Sequence, residues 1–212
     1  MTEEKPQIAT LHDNKNEHPI EYYSERFAQA NPAEMARRSG VLYDAENQWF
    51  TVHLLGREVR LAWPSMETVC ADTGAATAPN VRILLGHLVL EHQLVPGSGT
   101  FVPYAQIPWG QAYLKAFTGR CINRLAFMFK SASQFSLACE KLGGMPAADG
   151  DASYDFEFVD GVFVRLVVWE ADDEFPPSAQ ILFSDNTQLA FTAEDLAAVG
   201  DILLGALKSC RE

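Results

Sequence analysis

Apolar and polar residues alternate in two stretches of the chain, and this alternation predicts two β-hairpins. The first stretch runs from Trp49 to Trp63 and turns at Gly56, a residue that can adopt the positive φ of a tight hairpin. The second runs from Tyr154 to Trp169 and turns at Asp160-Gly161. Since successive side chains of a strand lie on opposite sides of a sheet, this pattern indicates strands that are buried on one face.

The second strands of the two hairpins resemble each other in sequence. The first reads Val59-Arg60-Leu61-Ala62-Trp63 and the second reads Val164-Arg165-Leu166-Val167-Val168-Trp169. Because side chains alternate along a strand, the one extra residue reverses the side of the tryptophan relative to the arginine. The sequence therefore argues against an internal duplication.

Apolar residues spaced three to four apart indicate helices in much of the remaining chain. A helical segment from Ile20 to Ser39 is divided at Asn31-Pro32, because asparagine is a good N-cap and proline fits the first helical turn. Further helices are predicted from Pro79 to Leu90 and between Trp109 and Leu142. The last helix begins at Thr192, in a sequence similar to a capping box.

The order of these elements predicts a single α+β domain over residues 20–212, in which antiparallel hairpins and a meander pack against several helices. Residues 1–19 contain too few apolar side chains to form a core, so we expect a disordered tail. This tail has no apolar segment typical of a signal peptide. No run reaches the ~20 apolar residues of a membrane-spanning helix, so we expect a cytoplasmic protein and no membrane partner.

Charge and cysteine content argue against several classes of protein. The 28 acidic and 16 basic side chains give a formal net charge of −12. Binding to a nucleic acid backbone relies on Lys and Arg, so we expect no nucleic acid partner. The 4 cysteines form no Cys-x-x-Cys pair, which argues against a disulfide scaffold or a zinc or iron–sulfur site. The charge remains compatible with a small molecule, a cation or a protein partner.

The acidic loop, defined as residues 170–174, is the best candidate for a functional site. It follows the apolar strand Val162–Trp169, is closed by Phe175-Pro176-Pro177, and contains four carboxylates, at Glu170, Asp172, Asp173 and Glu174. Carboxylates this close repel one another unless a cation or an arginine lies between them, and Mg²⁺ or Ca²⁺ takes oxygen ligands of this kind. The alternative is a solvated loop whose carboxylates cap backbone N–H groups or pair with arginines.

Arg165 and Trp169 lie on one face of the strand that leads into the acidic loop. An arginine flanked by Phe163 and Val167 must reach a carboxylate or the surface, so we expect an ion pair with the acidic loop rather than an anion clamp. Trp169 is expected to be either a lid on the core or a ligand platform. The candidate ligand-binding residues are Arg165, Trp169, Glu170, Asp172, Asp173 and Glu174.

Other familiar arrangements for catalysis or metal binding are missing from the sequence. It has no Walker loop, no Gly-x-Ser-x-Gly elbow and no His-Glu-x-x-His motif, so it identifies no catalytic residue, cofactor or metal. His87 and His92 are five residues apart, roughly 140° around a helix, and we do not expect them to face one metal ion. His87 is expected to be a satisfied core or edge histidine.

Several blocks of the sequence have a recognisable composition. The clearest runs from Trp169 to Pro177 and is followed by Ile181-Leu182-Phe183, and the others are Ile83–Leu88, Phe101–Tyr104 and Leu142–Gly144. These blocks resemble an uncharacterised prokaryotic family, domain of unknown function 3786. The resemblance implies a single cytosolic domain found largely in anaerobes, in a setting of anaerobic redox or corrinoid metabolism. It implies no catalytic residue, because none is known for the family.

We therefore expect a non-catalytic domain that binds a ligand or a protein partner. Missing catalytic motifs and a tryptophan beside the acidic loop motivate this expectation. The alternative is a metal-dependent enzyme that uses residues 170–174 as ligands. A third hypothesis is a subunit of a larger assembly, since the apolar helix Val81–Leu90 could form an interface.

Overall fold

Nine β-strands form one antiparallel sheet within residues 19–211, which a computed structural model describes. The strands are β1 Leu42–Asp44, β2 Trp49–Leu54, β3 Arg57–Ala62, β4 Thr68–Cys70, β5 Phe101–Pro103, β6 Met145–Ala147, β7 Ala152–Val159, β8 Val162–Trp169 and β9 Ser178–Ser184. The prediction of a disordered tail falls almost wholly on residues 1–18, which lie outside the described residues.

The helices alternate with groups of strands along the chain. They are α1 Pro19–Gln29, α2 Pro32–Ser39, α3 Pro79–Glu91, α4 Gly110–Phe117, α5 Asn123–Ala126, α6 Ala132–Lys141, α7 Thr187–Ala190 and α8 Ala193–Ser209. A π-helical turn, Thr118–Ile122, connects α4 to α5. No helix within residues 19–211 has both the length and the apolar character needed to cross a bilayer.

The sheet consists of two meanders joined edge to edge. The first meander is β1–β4 and the second is β6–β9, and in each the strands pair with their neighbours in the sequence. The meanders meet where the last residues of β2 and β7, Leu54 and Val159, pair with each other. The Leu55 N–H also donates to the Phe158 carbonyl, at 3.0 Å. Strand β5 extends the sheet beyond β9.

One face of this sheet forms the core, and the other face is partly exposed. In β8 the residues Val162, Val164 and Leu166 are fully buried, whereas Phe163 and Arg165 between them are partly exposed. Helices pack on the apolar face, with α3 in contact with α1, α2 and α8. The prediction of a single α+β domain with antiparallel strands is confirmed.

The elements around the two meanders also correspond. A helix and a glycine with positive φ precede each meander: Gly40, at 77°, caps α2, and Gly143, at 83°, follows Leu142, the C-cap of α6. Each meander is followed by a helix with the sequence Ile-Leu-Leu-Gly-x-Leu, at residues 83–88 in α3 and 202–207 in α8. Trp63 and Trp169 do not occupy equivalent positions, but the helices and strands that surround them follow the same order. The two halves therefore share a plan of elements, and the prediction against a duplication stays a prediction.

Most of the predicted elements are confirmed, and two of the three-residue strands, β4 and β6, were missed. The turns at Gly56 and Gly161 have φ of 74° and 76°, and β8 spans the predicted Val162–Trp169. Strand β6 lies between the last predicted helix of residues 109–142 and the second hairpin, where no element was predicted because three residues are too few to show alternation. Strand β4 likewise lies beyond the predicted end of the first hairpin.

Candidate functional site

A pocket of about 110 Å³ opens where β8 meets the acidic loop. Trp169, Glu170 and Pro177 form one side of it, and Phe129 and Lys130 belong to the other side, on the segment between α5 and α6. Two of the candidate residues, Trp169 and Glu170, therefore lie at a concave surface. The other candidate residues do not line this pocket.

Hydrogen bonds from neighbouring segments fix Glu170 at the pocket rim. Its backbone N–H donates to Oδ2 of Asp151 at 2.7 Å. Its Oε1 accepts from the Ala132 N–H at 2.5 Å, in the first turn of α6, where the unpaired N–H groups of a helix favour a negative charge. Gly150 has a φ of 62°, and a Cβ there would lie 3.2 Å from the Trp169 ring. Contacts with residues 150–151 and with Ala132 thus fix the positions of Trp169 and Glu170 in the pocket wall.

The acidic loop is a turn that satisfies its own backbone. Oδ1 of Asp172 accepts from the N–H groups of Glu174 and Phe175, at 2.8 and 2.7 Å. Asp173 and Glu174 are exposed. Within residues 19–211, the acidic loop contributes to no group of three side chains whose ligand atoms are close enough to share a metal ion. For Glu170 and Asp172, the geometry is that of carboxylates that cap backbone N–H groups.

Arg165 forms ion pairs, but its partners differ from those predicted. Its Nε and Nη2 donate to Asp155 at 2.6 and 2.8 Å, and its Nη1 donates to Asp149 at 2.8 Å. Asp155 lies directly opposite Arg165 on β7, and the guanidinium also stacks 4.2 Å from the Phe101 ring. The hydrogen bonds to Asp155 are the main reason that the pKa of Arg165 is raised. The predicted pairing with the acidic loop is wrong because the cross-strand neighbour is nearer than the strand end.

A second polar cluster, which the sequence did not identify, lies between α3 and α8. Nδ1 of His87 is 3.0 Å from Oδ2 of Asp195, and Nε2 is 3.0 Å from Oε2 of Glu91. The Tyr23 ring packs against the imidazole with a centroid distance of 4.9 Å. Arg26 forms an ion pair with Glu91. His87 is only 6% exposed, so this bridge between two carboxylates is buried.

His92 joins this cluster, although the helical spacing predicted otherwise. Helix α3 ends at Glu91, and His92 has the extended φ and ψ of −112° and −176°. Its ring therefore turns back towards His87, with a centroid distance of 4.6 Å. An angle of 140° between His87 and His92 does not apply, because the helix ends at Glu91 and does not continue through His92. The only available signal was the loss of helical pattern after Leu90.

The pKa values of the two histidines are shifted in opposite directions. Burial lowers the pKa of His87, but the hydrogen bonds and charges of Asp195 and Glu91 outweigh it and raise the pKa above its ordinary value. Burial, followed by repulsion from His87, lowers the pKa of His92. The two carboxylates thus favour protonation of His87, and burial disfavours protonation of His92.

Comparisons with known proteins give a family but no relative of known activity. No curated protein and no solved structure matches the chain significantly. One family profile matches residues 31–206, a range that includes both the pocket and the histidine cluster. The matched range covers most of the chain. The protein therefore belongs to the family described as Domain of unknown function (DUF3786).

Proposed function

We propose that this protein is a non-catalytic binding domain whose pocket beside Trp169 receives a cationic group from a ligand or a basic partner. The observation that carries the proposal is the position of the pocket. Its wall includes Trp169, Glu170, Ala171 and Pro177, which belong to the block Trp169–Pro177, the clearest of those that resemble the family. The remaining candidate residues, Arg165 among them, have a supporting role in this proposal.

The chemistry of the pocket selects a cation with an apolar stem. Trp169 offers an aromatic ring, which attracts cations, and Glu170 offers a carboxylate at the rim. Lys130 also lines the pocket, and the Arg211 guanidinium already lies 5.8 Å from the centre of the Phe129 ring. Trp169 and Glu170 are therefore the groups that would hold the cation. The exposed carboxylates of Asp172, Asp173 and Glu174 add negative potential nearby. A volume of about 110 Å³ is well below the ~300–1,000 Å³ of pockets for drug-sized ligands. A guanidinium or ammonium head of side-chain size is the occupant that suits this pocket.

The alternative, a metal-dependent enzyme that uses residues 170–174, has less support. Glu170 and Asp172 already accept backbone hydrogen bonds, and the loop carboxylates do not converge within the described residues. A setting in anaerobic redox or corrinoid metabolism is likewise a proposal, and it rests on the family resemblance alone.

Titration of the ¹⁵N-labelled protein with N-acetyl-arginine amide tests the proposal. We expect shifts of the Trp169 indole and of backbone amides around the pocket, and much smaller shifts with the neutral isostere N-acetyl-citrulline amide. Glu170→Gln should weaken arginine binding by about tenfold, because a charged hydrogen bond is lost. The matched variant Glu174→Gln removes the same charge outside the pocket and should have little effect.

Two results would overturn the proposal. If arginine and citrulline produce equal shifts, the pocket does not select a cation. If Glu174→Gln weakens binding as much as Glu170→Gln, the acidic surface attracts arginine without using the pocket.

A further inference from the structure

The histidine cluster between α3 and α8 contains a buried nitrogen without a hydrogen-bond partner. Nε2 of His92 is inaccessible to solvent and has no partner. The lone pair of a neutral imidazole nitrogen is a common metal ligand, and no hydrogen bond occupies Nε2 of His92.

We infer that His87, His92 and Asp195 form a binding site for a divalent transition metal ion. One ligand atom from each residue lies within 4.8 Å of those of the other two. Two imidazole nitrogens and one carboxylate oxygen suit Zn²⁺, Fe²⁺, Co²⁺ or Ni²⁺, whereas Mg²⁺ and Ca²⁺ prefer oxygen ligands alone. The site is separate from the pocket beside Trp169, so it goes beyond the function proposed there.

His87 and Asp195 are already close to the spacing that coordination requires. Nδ1 of His87 is 3.1 Å from Oδ1 of Asp195. In a tetrahedral site with bonds of about 2.1 Å, two ligand atoms lie about 3.4 Å apart. The ion would take the place of the proton that these two atoms share. The three ligand atoms lie within 4.8 Å of one another, so each pair needs to approach by at most about 1.4 Å to complete the set.

The residues around this site hold the ligands in the required orientation. Oδ2 of Asp195 accepts from the N–H of Thr192 at 2.9 Å as part of the α8 capping box, which leaves Oδ1 for the ion. Oε2 of Glu91 lies 3.0 Å from Nε2 of His87, so Nδ1 faces the ion. Arg26 fixes Glu91 in turn. A carboxylate that orients a ligating histidine is a regular feature of metal sites. Glu91 is therefore a positioning residue.

Three protein ligands leave at least one coordination position for water or an exogenous ligand. Structural zinc sites normally have four protein ligands, whereas sites that act on a ligand keep one position open. The Tyr23 ring packs beside His87 and covers this side of the cluster.

Calorimetric titration of the untagged, chelator-treated protein with Zn²⁺ provides the test. We expect one equivalent to bind with a micromolar or lower Kd. A rise in Tm of about 5 °C or more should follow at a 100-fold excess over Kd. Co²⁺ should give the visible absorption of a low-coordinate site. His92→Ala and Asp195→Asn should weaken binding by at least about tenfold, and Glu91→Gln by about 10–100-fold. Asparagine keeps a capping oxygen for α8, so Asp195→Asn retains the helix start.

Matched histidine variants elsewhere in the chain are the controls. His53 is exposed and hydrogen-bonded to Asp160, so His53→Ala should bind Zn²⁺ like the wild type. The double variant His12→Ala/His18→Ala should also retain the site. Retention of full affinity in His92→Ala, or its loss in the double variant, would overturn the inference.

Side-chain NMR of the wild-type protein keeps the inference falsifiable even if a variant fails to fold. Zn²⁺ should shift the imidazole signals of His87 and His92 and leave those of His53 unchanged. Equal shifts at all histidines, or no saturable binding of Zn²⁺ or Co²⁺, would rule the site out. Binding that persists in Glu170→Gln would show that this site and the pocket are independent.

Discussion

The two meanders have the same plan, but the helices that follow them carry different side chains. In the sequence Ile-Leu-Leu-Gly-x-Leu, the variable position is His87 in α3 and Ala206 in α8. His87 is buried and lies between two carboxylates, whereas Ala206 is partly exposed. The two helices therefore share an apolar scaffold but contribute different polar residues to the cluster, His87 from α3 and Asp195 from α8.

The outer face of the sheet shows the same contrast. Arg60 and Arg165 occupy equivalent positions on β3 and β8, after a valine and before a leucine. Arg60 pairs with Glu58 on its own strand, and its side chain is 36% exposed. Arg165 is 23% exposed and pairs with two aspartates from other segments. A shared scaffold thus supports one peripheral arginine and one that links three segments, and substitution of matched pairs can measure the difference.

The largest contrast is expected at the variable position of the helices. His87→Ala introduces the alanine found at the matching position of α8, Ala206, and leaves Asp195 and Glu91 without their common partner. Because Asp195 is only 12% exposed, we expect the free energy of unfolding to fall by about 2–4 kcal/mol. Urea denaturation in the presence of EDTA measures this change. The reverse substitution, Ala206→His, should change stability by less than about 1 kcal/mol, and an equal effect of the two would contradict the contrast.

A smaller contrast is expected between the two arginines. Arg165→Leu leaves Asp155, which is 18% exposed, without its cross-strand partner, so it should lower the free energy of unfolding by about 1–3 kcal/mol. Arg60→Leu should lower it by no more than about 1 kcal/mol, because its pair is solvated. Chemical denaturation of both variants at one pH and salt concentration is the measurement. An unchanged midpoint for Arg165→Leu would refute the structural role assigned to this side chain.

Local sequence patterns were sufficient for the longer elements of the fold. The turns at Gly56 and Gly161 and the capping box at Thr192 have residue-specific backbone requirements, so they could be located from the sequence. The strands β4 and β6 could not be predicted, because each has three residues and depends on a neighbouring strand for its hydrogen bonds. The pairing of Leu54 with Val159 joins residues that are distant in sequence, and no local pattern encodes it.

The candidate sites were less predictable than the fold, for a related reason. Trp169 and Glu170 were identified because they are adjacent in sequence to a conspicuous acidic loop. His87 and Asp195 belong to different helices, so their contact depends on how α3 packs against α8. His92 was excluded by assuming ideal helical geometry beyond the last helical residue. Prediction failed where a site depends on tertiary packing or on the point at which a helix ends.

The glycine that precedes the variable position offers a third matched pair. In α3, a Cβ on Gly86 would lie 2.4 Å from the sulfur of the fully buried Met66. Overpacking of this kind costs about 1–3 kcal/mol, which exceeds the ~1 kcal/mol gained when alanine replaces a helical glycine. We therefore expect Gly86→Ala to lower the free energy of unfolding by about 1 kcal/mol, as measured by urea denaturation. A stabilised Gly86→Ala variant would mean that Met66 moves away without cost.

The equivalent glycine in α8 should respond with the opposite sign. A Cβ on Gly205 would meet no atom within 4 Å, so the only expected effect of Gly205→Ala is on the helix backbone. Alanine restricts the unfolded chain and has the higher helix propensity, so the free energy of unfolding should rise by about 0.5–1 kcal/mol. The same urea titration measures it. If both glycine variants were destabilised equally, a partner or a neighbouring segment would have to pack against Gly205. The packing around Gly205 in α8 would then resemble that around Gly86 in α3 more closely than the neighbouring side chains indicate.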